Sequence, residues 1–212
     1  PLAAGGREGL RDGAMTGRFE WLSKPSLRRP LIVCVTLMGV QQLSGINNAF
    51  NYSSAFLSAN GLSDDDVRWV AIAMNAANVL IVLLSTVMMD RIGRRALLFA
   101  SMVGMLLAVT VLTVAILCGA VPLVCASVVA FVASFGLGLG PVVWLLPAEL
   151  FPMDKRAPAT ATVTAVNWLA NWLVAQTFPL VAAALGPFAF VPCGAVLAGA
   201  MVFAWFAVPE TR

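Results

Sequence analysis

The sequence predicts an all-α membrane protein with six transmembrane helices. Three observations carry this expectation. Of 212 residues, 60% are hydrophobic and 11% charged, where a soluble domain carries roughly 25% charged residues. The charges fall in short clusters, leaving charge-free windows at 30–63, 69–89, 96–148 and 157–209. A bilayer core takes ~20 helical residues to cross, so the first two windows hold one span each and the last two hold a pair each. Finally, six spans return the chain to the side on which it starts, and 12 of the 13 basic residues then share that side. Only Arg68 lies opposite, beside Asp64-Asp65-Asp66. Lys and Arg accumulate on the cytoplasmic side of membrane proteins, which predicts that both ends of the chain are cytoplasmic.

Other classes are disfavoured by what is missing. The four cysteines, Cys34, Cys118, Cys125 and Cys193, form no CxxC pair, so neither a disulfide framework nor a zinc site follows. No histidine occurs, which removes the commonest metal ligand and proton shuttle. No cofactor is expected, nor is nucleic-acid binding, because the basic excess follows membrane orientation. The first residue is Pro1 and no signal-peptide pattern precedes the first span, so the chain reads as part of a longer protein.

Taken in order, Pro1–Gly13 has the composition of a disordered lead-in. Phe19–Arg29 reads as a short interfacial helix leading to the bilayer. The expected spans are 31–58, 68–89, 96–117, 122–149, 157–184 and 187–208. The first carries Gln41-Gln42-Leu43-Ser44-Gly45-Ile46-Asn47-Asn48 near its middle. Amides in hydrocarbon are costly unless they pair, line a wet cavity or hold a polar ligand, and Gly45 eases a break there. The second span has Asn75 and Asn78, three apart and so on one face. The fourth contains Gly136, Gly138, Gly140, Pro141 and Pro147 around Trp144, which should loosen the helix and free backbone carbonyls. The fifth places Asn167 with Asn171, and Trp168 with Trp172, at i,i+4. The first and fourth spans hold corresponding places in the two three-helix sets, and paired interrupted helices point to a transporter's midplane site.

Each feature has a plainer reading. A lone membrane amide is often interhelical glue, worth ~0.6 kcal/mol, and Trp is commonly an interfacial anchor; Trp21 and Trp69 fit the latter. The concentration of amides near Gly45, and of Trp144 and Trp168 among breakers and amides, favours a ligand site. Amides both donate and accept hydrogen bonds, as hydroxyls do, and an indole face can cover the C–H face of a ring. With no charge inside the spans, a neutral sugar or polyol suits this set better than an amino acid or phosphate.

Four motifs then match a known family: Gln-Gln-Leu-Ser-Gly-Ile-Asn at 41–47, Asp-Arg-Ile-Gly-Arg-Arg at 90–95, Gly-Pro-Val-Val-Trp with Pro-Ala-Glu-Leu-Phe-Pro across 140–152, and Pro-Glu-Thr-Arg at 209–212. In their order and spacing the chain resembles the C-terminal half of a sugar porter of the major facilitator superfamily, related to facilitative glucose transporters and proton–sugar symporters. The resemblance implies half of a twelve-helix fold, its six transmembrane helices arranged as two inverted three-helix repeats. Residues 1–30 would end the cytoplasmic linker, 31–208 form the six-helix bundle, and 209–212 begin a cytoplasmic tail. It implies transport of a hexose or similar monosaccharide by alternating access, with the other six-helix half and the lipid bilayer as partners, most simply in the plasma membrane. Gln41, Gln42, Asn47, Asn78 and Trp144 fall on sugar-contacting positions, and Asn167, Trp168 and Asn171 on the face lining the same cavity. Asp90, Arg94, Arg95, Glu149 and Arg156 fall on a cytoplasmic charge network that latches the halves. Three positions depart from the pattern: Gly136, where glucose uniporters often have Glu; Asn51, where an aromatic gate residue is common; and Arg212, which replaces the usual Lys. Proton-coupled symport and a non-transporting sugar sensor are the alternatives on this scaffold.

Overall fold

A computed structural model describes residues 25–59 and 61–210, with the side chains of 52–56 and 59 left out. Residues 1–24, which include the start of the expected interfacial helix, and 211–212 lie outside the described residues. The chain runs α1 (Pro25–Leu43), α2 (Ile46–Ala59), α3 (Asp64–Ile92), α4 (Arg94–Leu117), α5 (Val121–Leu137), α6 (Pro141–Leu150), α7 (Met153–Leu185), a 3-10 turn (Gly186–Phe188) and α8 (Val191–Ala207). All described secondary structure is helical. With α1–α2 and α5–α6 each read as one interrupted crossing, this makes six. Five stretches are long and apolar enough to cross a membrane, and α8, at 17 residues, is the shorter sixth.

Local chemistry sets the boundaries. Ser63 caps α3, its hydroxyl accepting from the Asp66 amide at 3.2 Å, and Asp64, Asp65 and Asp66 fill the first turn, where acidic side chains favour the helix dipole. Gly93 separates α3 from α4 with φ +96°, a conformation that glycine alone adopts cheaply. Gly45, at φ +85°, makes the break between α1 and α2. The second interruption, 138–140, lies between α5 and α6.

The core is a lengthwise seam. From α4 it takes Leu97, Leu98, Met102, Met105, Val109 and Leu112, and from α5 Val124, Val128, Phe131 and Val132, at the three- and four-residue spacing of one helix face. Burial is uneven among the crossings. In α3 and α7 only 11% of the most apolar window is buried, against 44–56% in the other three long crossings. Those two helices flank the polar cavity described next and present bare apolar sides to whatever surrounds this chain.

Candidate functional site

The two broken crossings meet α7 at a connected set of amides. Gln42 Nε2 donates to Asn167 Oδ1 at 2.8 Å. Asn167 Nδ2 donates to Gln41 Oε1 at 2.8 Å and to the Met38 carbonyl at 3.1 Å. Asn47 Nδ2 donates to Gln42 Oε1 and to Asn171 Oδ1, both at 2.7 Å. Asn167 and Asn171, one turn apart on α7, thus accept from residues on either side of the Gly45 break. Gln41, Gln42 and Asn167 are buried. An amide carries two N–H donors and an acceptor oxygen, and the network leaves Asn47 Oδ1 and Asn171 Nδ2 without a partner among the described residues.

The same residues wall a cavity of about 510 Å³. Gln41, Gln42, Asn47, Asn78, Trp144, Asn167, Trp168 and Asn171 all line it, so the structure brings together all eight expected substrate residues. Asn51 lines it as well, with Ile46, Phe50, Val82, Phe135, Gly140 and Pro141. Among the described residues no charged side chain does. Asn78 Oδ1 is buried without a hydrogen-bond partner, an unmet acceptor that costs ~1–3 kcal/mol if left dry. It faces Gly136, where a Cβ would sit 2.9 Å from that oxygen; a larger side chain there would displace the Asn78 amide. Trp144 and Trp168 are exposed, which places their indoles at the open side. Asn75 does not join this group; its Nδ2 donates to the Ala71 carbonyl one turn back, at 2.8 Å.

Breaking a helix in hydrocarbon leaves backbone groups that must find partners, and at the α5–α6 break several of the partners can be named. Ser85 Oγ, from α3, donates to the Leu137 carbonyl at 2.6 Å. Ser101 Oγ, from α4, accepts from the Leu139 amide at 2.9 Å. Gln41 Nε2 donates to the Leu139 and Gly140 carbonyls, both at 3.0 Å. Gly138 is pressed against the Leu97 carbonyl, leaving no room for a Cβ. At the α1–α2 break, Ser44 Oγ donates to the Gln41 carbonyl at 2.6 Å. Ser44, Ser85 and Ser101 are buried; Ser44 belongs to the polar stretch the sequence singled out, whereas sequence reasoning gave Ser85 and Ser101 no role.

A second cluster lies where α3 ends, α4 begins and α6 ends. Arg94 Nε meets Glu149 Oε1 at 3.0 Å, and its Nη2 lies 3.7 Å from Asp90 Oδ1. Arg94 Nη1 also donates to the Met89 carbonyl at 3.2 Å, so one guanidinium fastens three helix ends. Arg95 goes elsewhere: Nη2 donates to the Trp205 carbonyl at 2.6 Å, and the guanidinium stands 5.3 Å from the Trp205 ring centre. Arg156 Nη1 contacts Met153 Sδ at 3.7 Å, and its Nε is buried without a partner. Of the five expected latch residues, therefore, Asp90, Arg94 and Glu149 form ion pairs, while Arg95 and Arg156 form none among the described residues. Glu210 belongs here too. Its carboxylate packs on Gly93, where a Cβ would lie 2.5 Å from Oε1.

With this geometry in hand, known proteins can be compared. The family model described as "Sugar (and other) transporter" matches residues 11–212. Solute carrier family 2, facilitated glucose transporter member 3, of Oryctolagus cuniculus is 35% identical over 199 residues, 92% of this chain and 40% of that protein. Member 4 of Homo sapiens is 37% identical over 199 residues, covering 92% and 39%. Among solved structures, the proton:xylose symporter XylE bound to 6-bromo-6-deoxy-D-glucose superimposes with a TM-score of 0.79 at 30% identity, covering 86% of this chain and 40% of that one. The chain thus spans about 40% of the length of the relatives it matches. Its six crossings correspond to one half of the major facilitator fold, and the chain belongs to the sugar transporter family.

Proposed function

We propose that the chain supplies the C-terminal half of a sugar site in a transporter that moves a hexose or similar monosaccharide by alternating access. The observation that carries this reading is the uncharged cavity of about 510 Å³, walled by seven amides and two indoles at the junction of two broken helices. A neutral sugar presents hydroxyls that donate and accept, and a pocket of amides answers both needs while offering no fixed charge for an ionic solute. The names of the relatives supply the class: facilitated glucose transporters among the sequences and a proton:xylose symporter among the structures. The open side, where Trp144 and Trp168 are exposed, is where the opposing half would complete the wall. The distribution of Lys and Arg supports an orientation with the Arg94–Glu149 cluster at the cytoplasmic face, and we take the membrane to be the plasma membrane. No enzymatic role is assigned.

Equilibrium binding of D-glucose and D-xylose to the purified full-length transporter tests the reading, alongside uptake into proteoliposomes. Saturable binding of either sugar, displaced by the other and weakened by Asn47→Ala, is the expected result. Saturable binding of a charged solute in preference to both sugars would overturn it. Proton coupling is the second reading, favoured by the likeness to the proton:xylose symporter. In that case the proton-carrying group would sit outside this cavity wall, which holds no carboxylate.

A further inference from the structure

The amides that α2 gives the cavity stand in two tiers. Asn47 forms the first, engaged through Nδ2 with Gln42 and Asn171. Asn51 lies four positions on, roughly 6 Å farther along the helix and on the same face, toward the α2–α3 loop. It lines the cavity, with Phe50 beside it. The residue is exposed, and its amide makes no hydrogen bond among the described residues. Two N–H donors and an acceptor oxygen thus stand unused beyond the first tier. There is room there as well. The cavity measures about 510 Å³ before the opposing wall is added. A hexose, at the ~30 Å³ that a water molecule takes for each heavy atom, fills at most about 360 Å³.

We propose that Asn51 forms an outer subsite for the second ring of a neutral disaccharide whose first ring lies at the tier of Asn47. The inference rests on the sugar-site reading and extends it from one ring to two. A four-residue step on α2 is about the length of one sugar ring, so a first ring at Asn47 brings its neighbour level with Asn51. Phe50 offers an aromatic face to the C–H face of that second ring. Among the described residues no charged side chain lines the wall, so a phosphorylated or carboxylated second unit would find no counter-charge. An amide that met only the apolar side of another helix would be left unpaired at a cost in free energy. A saccharide hydroxyl instead answers both its donors and its acceptor.

The test is equilibrium binding to the full-length transporter of D-glucose and of maltose, melibiose and trehalose, whose second rings are joined at O4, O6 and O1 of a glucose unit. At least one disaccharide is expected to bind as tightly as D-glucose or more so. Asn51→Ala should lower the affinity for that disaccharide relative to D-glucose severalfold. Asn51→Leu, which keeps the bulk and loses the amide, should do the same. Asn47→Ala, acting at the first ring, should weaken both ligands and keep their ratio near the wild-type value. Binding of D-glucose by the wild-type protein with no binding of any disaccharide overturns the outer subsite and leaves the sugar reading standing. A ratio that neither Asn51 variant moves also overturns it, and would mean that the amide serves the first ring or bonds the opposing half. Binding of none of the four overturns the sugar reading, and the outer subsite falls with it. If Asn51→Ala fails to fold, the near-isosteric Asn51→Leu carries the measurement.

Discussion

Asn47 bonds both Gln42 and Asn171 through Nδ2, lines the cavity and has no partner for its oxygen among the described residues, so its removal reports on ligand contact. In the full-length protein, Asn47→Ala or Gln42→Ala should weaken D-glucose binding severalfold, as expected from ~0.5–1.5 kcal/mol for a lost hydrogen bond, with expression near normal. Asn75→Ala should leave affinity unchanged, since that amide only bonds Ala71 one turn back. Calorimetric titration paired with a melting curve in detergent separates the cases. A clear melting drop with unchanged affinity would make these amides glue. The amides and tryptophans were legible in the sequence because such groups are expensive in hydrocarbon and stand out from an aliphatic background. Ser85 and Ser101 were not. A serine within a membrane helix usually bonds the carbonyl one turn back, as Ser127 does to Leu123 at 2.6 Å. Nothing in the chain distinguishes Ser127 from Ser85 or Ser101, which serve a break on another crossing.

The elements show where periodicity and composition inform and where they stop. Charge-free windows mark the hydrocarbon, not the helix, so α3 runs past its expected 68–89 to Asp64 and Ile92 and ends among charged residues. The last crossing starts at Val191, not 187, because Gly186-Pro187-Phe188 closes a 3-10 turn first. Both interruptions fell at the glycines the sequence singled out, but the sequence could not name what the freed backbone groups bond to, since the partners come from other helices. Those partners make a prediction at this scale. Ser101→Ala removes the acceptor of the Leu139 amide and should cost ~1–3 kcal/mol, the penalty of a buried unmet group. Gly138→Ala drives a methyl into the Leu97 carbonyl; forced repacking costs ~1–3 kcal/mol, and rigid backbone on both sides points to the upper end. Both variants should lower the detergent melting temperature, Gly138→Ala more, while Gly199→Ala, with open space around it, should not. Equal melting for Gly138→Ala and Gly199→Ala would mean the break relaxes freely.

Across the whole molecule, the bare sides of α3 and α7 and the one-sided cavity wall agree that this chain is a half. Proteoliposomes holding residues 1–212 alone should accordingly show no saturable hexose uptake; robust uptake would mean that a second copy supplies the opposite wall. In the full-length transporter, the Arg94 cluster should act on the balance between states. An ion pair of this kind is worth ~0–1 kcal/mol, which is enough to tilt two states of similar energy, so Glu149→Gln should raise cysteine labelling from the cytoplasmic side. Labelling equal to wild type would leave the cluster as a topology signal only. Coupling is the remaining question at this scale, and here charge placement decides. A proton carrier needs a group that titrates inside the pathway. The chain has no histidine, and among the described residues no carboxylate lines the cavity. The described carboxylates, Asp64, Asp65, Asp66, Asp90, Glu149, Asp154 and Glu210, lie at helix ends or beyond them, and Glu8, Asp12 and Glu20 precede the first crossing. With no carboxylate among the described residues of the cavity wall, the contribution of this half to sugar affinity should be flat between about pH 5.5 and 8. Neutralising each carboxylate of this chain singly in the full-length transporter, and measuring D-glucose uptake against pH, checks the point. If the wild-type protein shows a pH dependence, it should survive every one of these substitutions, because its source lies in the other half. A single substitution that abolishes it would place the proton site in this chain.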